Sequence, residues 1–241
     1  RISMKTLKNQ VVVITGAGRG LGRAAAELLG AEGAIIVAAS RTQSEIHELV
    51  DSIKKGGGDG LAVPTDVTSE QEVANLFSEV DKHYGQIDVL INSAGIGVFG
   101  SLENLTPQDF RRAIDVDLLG TIYPTLEAFK RMKTRKSGHI LNVVSSSGTK
   151  GRAKETAYAA AKFGVNGFTL ALLEEAKPFN IRVTAFKPGG INTPFWDNLR
   201  SHQPDPSVFM DPHEVARFIV DIVNGWDTLA VDDISINRSR R

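Results

Sequence analysis

Tyr158 and Lys162 stand four residues apart in the stretch YAAAK, so on a helix they share one face. A free phenol has a pKa of about 10 and is a poor base at neutral pH. A neighbouring ammonium favours the phenolate and moves that value down toward a working pH, which suits acid–base catalysis. Of the three tyrosines only Tyr158 has such a partner, since Tyr84 is followed at this spacing by Asp88 and Tyr123 by Glu127. The spacing also describes an ordinary surface pair, and placement decides between the two. The run SSSGTKG, starting at Ser145, follows one apolar stretch, and NSAG at 92–95 follows another. Both therefore belong at the carboxyl ends of strands, beside the tyrosine and lysine.

A second group of residues is suited to holding phosphate. TGAGRGLG, Thr15 to Gly22, follows the β-branched run VVVIT and opens a helical pattern. Glycines let a backbone approach a pyrophosphate, and a helix N-terminus offers free N–H groups. The spacing from Gly16 through Gly20 to Gly22 differs from the commoner G-x-G-x-x-G, and a bare strand-to-helix turn would also use glycine. Gly18, Arg19 and Leu21 complete the turn. The end of the second strand adds information. An acid there would hold the ribose hydroxyls of NAD, but the chain reads IIVAAS and continues into Arg41. Ser40, Arg41 and the nearby Arg19 therefore favour NADP(H) over NAD(H), because arginine pairs with a 2′-phosphate that an acid would repel.

Positioning these groups takes alternating elements. β-branched runs predict strands at 11–15, 34–39, 60–63, 88–91, 139–144, 181–187 and, weakly, 234–237. Helical spacing fills 20–31, 43–55, 69–84, 106–117, 119–134, 156–178 and 212–224. Strand followed by helix, repeated, reads as an α/β doubly wound Rossmann fold. It would be one domain over 1–241, with a seven-stranded, mostly parallel sheet between helix layers. Near-continuous apolar strands fit a sheet buried on both faces.

Bulk properties exclude several classes. Lysines and arginines number 28 and acids 28, so no net charge draws the chain to nucleic acid or an anionic membrane. There is no cysteine for a disulfide, a thiolate nucleophile or a Cys-type zinc site. The five histidines lack metal-ligand spacing, so no metal is expected at the site. No apolar run reaches membrane-spanning length and no signal peptide is visible, which makes the cytoplasm the expected location. Arg1, Ile2 and Ser3 precede Met4, which reads as a natural start.

The ordered set of TGAGRGLG, Asp66 in DVT, NSAG, Ser145, Tyr158 with Lys162, and PGGINT at 188–193 resembles the short-chain dehydrogenase/reductase family, single-domain type, over essentially the whole chain. The resemblance implies that Gly16, Gly20 and Gly22 shape a pyrophosphate turn and that Asp66 and Val67 lie at the adenine. It places Asn92, Ala94 and Gly95 along the cofactor and supporting the central strand. Pro188, Gly189, Ile191 and Thr193 would close over the nicotinamide. Tyr158 becomes the acid in ketone reduction and the base in alcohol oxidation. Ser145 binds the substrate oxygen, and Lys162 holds the nicotinamide ribose and lowers the tyrosine pKa. Two positions depart from the family: Ser93 and Asp117 stand where asparagines are usual. An aspartate at 117 can still hold the water of a proton relay to the lysine, so it is counted with the catalytic residues.

The implied reaction is hydride transfer between NADPH and the carbonyl of a small or medium-sized ketone or aldehyde. Pocket walls are expected from Ile96, Val98 and Phe99, from Lys150 to Ala153, and from Phe195, Trp196, Phe209 and Met210, with 194–211 a mobile lid. Phe99, Phe195 and Trp196, together with Ser145, are the substrate-binding candidates. A 3-oxoacyl-carrier-protein reductase ranks second. The basic run KRMKTRK could dock an acidic carrier, but Phe179 and Asn180 replace the usual second basic site, and the C-terminus lacks the Asp-Gly-Gly ending. A non-catalytic NADP-binding sensor would not need Ser145, Tyr158 and Lys162. Epimerases of this kind use other glycine spacing, and no G-x-S-x-G marks a hydrolase. The segment Phe163 to Leu173 has no charge, so burial on more than one side is expected, and helices 119–134 and 156–178 would pair two or four copies of the chain.

Overall fold

Strand β1 (Val11–Thr15) is buried throughout, and its β-branched side chains alternate between two apolar cores. Val12 and Ile14 pack with α1 (Gly20–Ala31), α2 (Gln43–Lys55) and α7 (Pro212–Asn224). Val11 and Val13 face the other way, toward α3 (Glu70–Tyr84), α5 (Gly120–Arg135) and α6 (Thr156–Ala176). The period of two, filled on both sides, makes β1 central to a covered sheet. The computed structural model describes residues 6–197, 208–225 and 229–239. Arg1 to Met4 and the middle of the lid, 198–207, lie outside the described residues.

The sheet has seven strands in the order β3 (Asp59–Pro64), β2 (Ile35–Ser40), β1, β4 (Val89–Asn92), β5 (Gly138–Val143), β6 (Ile181–Pro188) and β7 (Asp233–Ile236). Every neighbouring pair runs parallel, so the sheet is wholly rather than mostly parallel. Strand order reverses direction between β1 and β4, and Thr15 pairs with Asn92 there. That reversal opens a crevice at the carboxyl ends of the strands, where open α/β sheets bind ligands. The glycine turn and the segment 93–95 flank it.

Two expected helices prove to be one run. α4 (Pro107–Ala113) starts with a reciprocal cap, in which Asp109 N–H donates to Thr106 Oγ1 and Thr106 N–H to Asp109 Oδ2. It passes into a π-helical turn, Ile114–Leu119, and then directly into α5. Turns of this pitch recur at functional sites. Here it turns Asp117 inward, fully buried.

Candidate active site

The glycine turn is built first by backbone crowding. Gly16 has φ +68, and a Cβ on it would lie 2.8 Å from the backbone of Ala94. A Cβ on Gly22 would meet the carbonyl of Gly16. These two glycines let β1, the turn and the end of β4 lie against one another. α1 then begins at Gly20 with no side chain capping its N-terminus, so its first N–H groups face the cleft. An uncapped helix end over a backbone cradle is what a dinucleotide pyrophosphate needs, and the residues here fit that group.

The cleft, about 530 Å³, runs from this turn to the tyrosine. Gly18, Arg19, Leu21, Ser40, Arg41, Asp66, Val67, Ala94 and Gly95 line one part of it, and Pro188, Gly189, Ile191 and Thr193 another. Asn92 is the exception. It is 2% exposed and sits behind the cleft, donating to Thr125 Oγ1 at 2.9 Å and to Asn142 Oδ1 at 2.8 Å. Asn142 donates in turn to Thr169 Oγ1 at 2.9 Å. Asn92 therefore ties β4 and β5 to α5 and α6 rather than lining the cofactor path. Its NH2 group is fully engaged, while its Oδ1 is buried with no hydrogen-bond partner among the described residues.

Ser145, Tyr158 and Lys162 all line the cleft. The Ser145 hydroxyl acts on Tyr158 so as to favour its phenolate. Ser145 has φ 85 and ψ 152, a conformation that costs a non-glycine residue on the order of 1–3 kcal/mol. The Ser147 N–H donates to its Oγ at 3.2 Å and the Gly148 N–H to its carbonyl at 3.1 Å, which holds it there. Lys162 is 4% exposed. Its Nζ lies 5.7 Å from the Tyr158 ring centroid, donates to the Val143 carbonyl at 3.1 Å, and faces Asp117 Oδ1 at 3.5 Å.

Asp117 stands behind the lysine, outside the cleft lining. Its Oδ1 also accepts the Ile96 N–H at 3.1 Å, while its Oδ2 is buried with no hydrogen-bond partner. Burial raises its pKa from 3.8 to about 6, against the pull of Lys162. Tyr158 departs from the expected direction. Its pKa is raised, not lowered, because burial disfavours the phenolate and the charge of Asp117 adds to that effect. The Ser145 hydroxyl opposes both. Lys162 is not among the main causes of the shift: its ammonium lies 3.5 Å from Asp117 Oδ1 and 5.7 Å from the Tyr158 ring centroid.

The substrate end is aromatic. Phe99 packs on Tyr158 at 5.1 Å between centroids, Trp196 stacks on Phe99 at 5.8 Å, and Phe209 stacks on Trp196 at 4.7 Å. Phe195 meets Tyr158 at 5.7 Å. Trp196 Nε1 donates to the Ile191 carbonyl at 2.8 Å, which anchors the indole. Ile96 and Arg152 also line the cleft. Val98, Lys150, Gly151, Ala153 and Met210 do not. Val98 is buried with Ala113, Ala157 and Ala161, and Met210 bridges by backbone to Ile191.

Sequence reading missed Glu45, Ser147 and Glu155. Glu45 lies on the first turn of α2, and a Cβ on Gly18 would meet its carboxylate and, at 2.9 Å, the Ser40 hydroxyl. The available signal was an acid on the helix turn that returns to the end of β2. Ser147 and Glu155 hold Arg152, and no spacing rule announces that.

A family model, short chain dehydrogenase, matches residues 10–204. An uncharacterized oxidoreductase of Bacillus subtilis is 34% identical over 230 residues, which is 91% of this chain but 64% of the relative, so the chain spans less than two thirds of that protein. An uncharacterized oxidoreductase of Staphylococcus aureus is 30% identical over 233 residues, 97% of this chain and 99% of the relative. The crystal structure of a metagenomic short-chain oxidoreductase in complex with NADP superposes with a TM-score of 0.85 at 27% identity, covering 98% of this chain and 100% of that one.

Proposed function

The chain belongs to the short chain dehydrogenase family of oxidoreductases, and on that premise we propose that it is an NADPH-dependent reductase of the carbonyl group of a small or medium-sized ketone or aldehyde. One observation carries the reading. Ser145, Tyr158 and Lys162 converge in the same cleft as the uncapped glycine turn.

The bound nicotinamide supplies the hydride. Tyr158, kept protonated at neutral pH by its raised pKa, gives its phenolic proton to the carbonyl oxygen. Ser145 donates to the same oxygen and stabilises the charge that grows there. Lys162 offsets the negative charge left on the phenolate. Asp117 fixes Lys162 from behind, and the aromatic wall excludes water from the reacting atoms.

Arg19 and Arg41, both exposed on the rim of the cleft, support NADP(H) over NAD(H). Glu45 favours a second reading, NAD(H), because an acid beside Ser40 accepts from ribose hydroxyls and repels a 2′-phosphate. Titrating NADPH and NADH against the protein, Arg41→Ala and Glu45→Gln separates the two. The first reading expects tighter NADPH binding that Arg41→Ala weakens selectively by about tenfold. The second expects NADH to bind at least as tightly, and Glu45→Gln to improve NADPH. NADPH consumption with a panel of carbonyl compounds tests the reaction itself.

We also infer that the chain pairs with further copies of itself through α5 and α6. Leu126, Phe163 and Leu170 on these helices are 50%, 47% and 43% exposed, large apolar side chains that a partner would cover.

A further inference from the structure

The loop between β5 and α6 carries Lys150, Arg152 and Lys154 against one acid, Glu155. The two lysines are exposed, and Arg152 is the one that lines the cleft. Its guanidinium is held in place. Nη1 donates to Ser147 Oγ at 2.9 Å and Nη2 to Ser146 Oγ at 3.1 Å, while Glu155 Oε2 lies at 3.5 Å from Nη1. Ser147 Oγ gives its own proton to Glu155 at 2.7 Å, so the acid's short hydrogen bond goes to the serine and not to the arginine. Three of the five guanidinium N–H groups are engaged, which leaves two without a partner among the described residues. Arginine presents such donors in a rigid fork that matches a carboxylate.

The surroundings make this fork unusual. The same cleft is also lined by Phe99, Phe195 and Trp196, packed around Tyr158. Tyr158 feels both charges of this pair, the Glu155 carboxylate raising its pKa by more than Arg152 lowers it. An apolar carbonyl compound would use the aromatic wall and leave the two remaining guanidinium N–H groups unused. A substrate with an apolar spacer and an anionic end would use both.

We propose that Arg152 anchors a substrate carboxylate, so that the substrate is an oxo acid reduced to the corresponding hydroxy acid. This rests on the reductase reading above. The carbonyl carbon gains a hydride from NADPH, the carbonyl oxygen gains the Tyr158 proton, NADP⁺ leaves, and the carboxylate is unchanged. The serine hydroxyls of residues 146 and 147 orient the guanidinium.

The test compares 5-oxohexanoate with its methyl ester on the NADPH-loaded protein, and hexanoate with hexanamide by tryptophan fluorescence. The acid is expected to exceed the ester in kcat/KM by about tenfold, mainly through KM. Arg152→Gln, which keeps a donor for the serines, is expected to lower the acid's kcat/KM about tenfold more than the ester's, and Arg152→Lys to retain part of the preference. An ester used as well as the acid, or a parallel loss for both in Arg152→Gln, overturns the proposal. The binding arm needs no turnover. Hexanoate that binds better than hexanamide, and loses that preference in Arg152→Gln, upholds the anion site even if no carbonyl is reduced, and in that case the reductase reading alone fails. No Arg152-dependent preference for hexanoate overturns the anion site whatever the turnover.

Discussion

Burial and the Asp117 carboxylate both disfavour the Tyr158 phenolate, and the Ser145 hydroxyl opposes them. Removing the carboxylate charge while keeping its shape therefore lowers the tyrosine pKa. Asp117→Asn is expected to shift the alkaline rise of alcohol oxidation to lower pH, with carbonyl reduction near neutrality changed by less than about tenfold. An unshifted pH–rate profile would contradict the coupling. The same carboxyl titrates in the stability curve. Folded Asp117 keeps its proton up to about pH 6, whereas the unfolded carboxyl loses it near the ordinary value of 3.8. The native state binds more protons between those values, so the stability contributed there falls as pH rises. Urea titrations should show asparagine gaining on wild type by on the order of 2 kcal/mol between about pH 4 and about pH 7. Tyr158 and Lys162 stood out by type and spacing, whereas Ser145 was chosen from its serine run by the family resemblance. The direction of the Tyr158 shift was not legible, because it depends on burial and on an aspartate 41 residues away in sequence. Glu45 was hidden for a related reason: its reach to Gly18 depends on the phase of α2 against the glycine turn.

Among the elements, the π-helical turn does the most for the site. Thr121 Oγ1 donates to the Asp117 carbonyl at 2.8 Å and Thr125 Oγ1 to the Thr121 carbonyl at 2.7 Å, so threonine side chains bond back along the run from the wide turn into α5. The strands were legible to within a residue or two, since β-branched runs bounded by turns leave little choice. The passage from α4 to α5 read as two helices, 106–117 and 119–134, with Gly120 inside the second. In the fold Gly120 is needed for space: a Cβ there would press on Val67. Gly95 is the mirror case on the β4 side. Its Cβ would lie 2.7 Å from Asp117 Oδ1 and 3.6 Å from Lys162 Nζ. Gly95→Ala is expected to push the carboxylate off the lysine, costing about 1–3 kcal/mol of stability by overpacking and a larger fraction of kcat than of cofactor affinity. Thermal melts and cofactor titrations check both. Full activity in this variant would mean that the Asp117–Lys162 contact is dispensable.

For the molecule as a whole, the sheet reversal opens the cleft that Ser145, Tyr158 and Lys162 line. The α/β pattern and the crevice followed from alternating periodicity. The apolar stretch of α6 was harder to read. Burial on more than one side was expected, but Phe163 and Leu170 are half exposed in the single chain. Periodicity cannot tell a face covered by the same chain from one covered by another copy. Light scattering on a sizing column is expected to give a dimer or tetramer, and Phe163→Asp with Leu170→Asp to shift it toward smaller species. A clean 26.0 kDa species from the unaltered chain would contradict pairing.

The most direct test follows the hydride. NADPH deuterated at nicotinamide C4 is incubated with the protein and a panel of ketones and aldehydes, and the alcohol is examined for deuterium on the carbinol carbon. The account expects label at that carbon, and a rate lower by about a thousandfold in Tyr158→Phe with cofactor affinity retained. Tight NADPH binding with no labelled alcohol from any carbonyl, or equal labelling by Tyr158→Phe, would contradict it and leave a cofactor-binding protein without this chemistry.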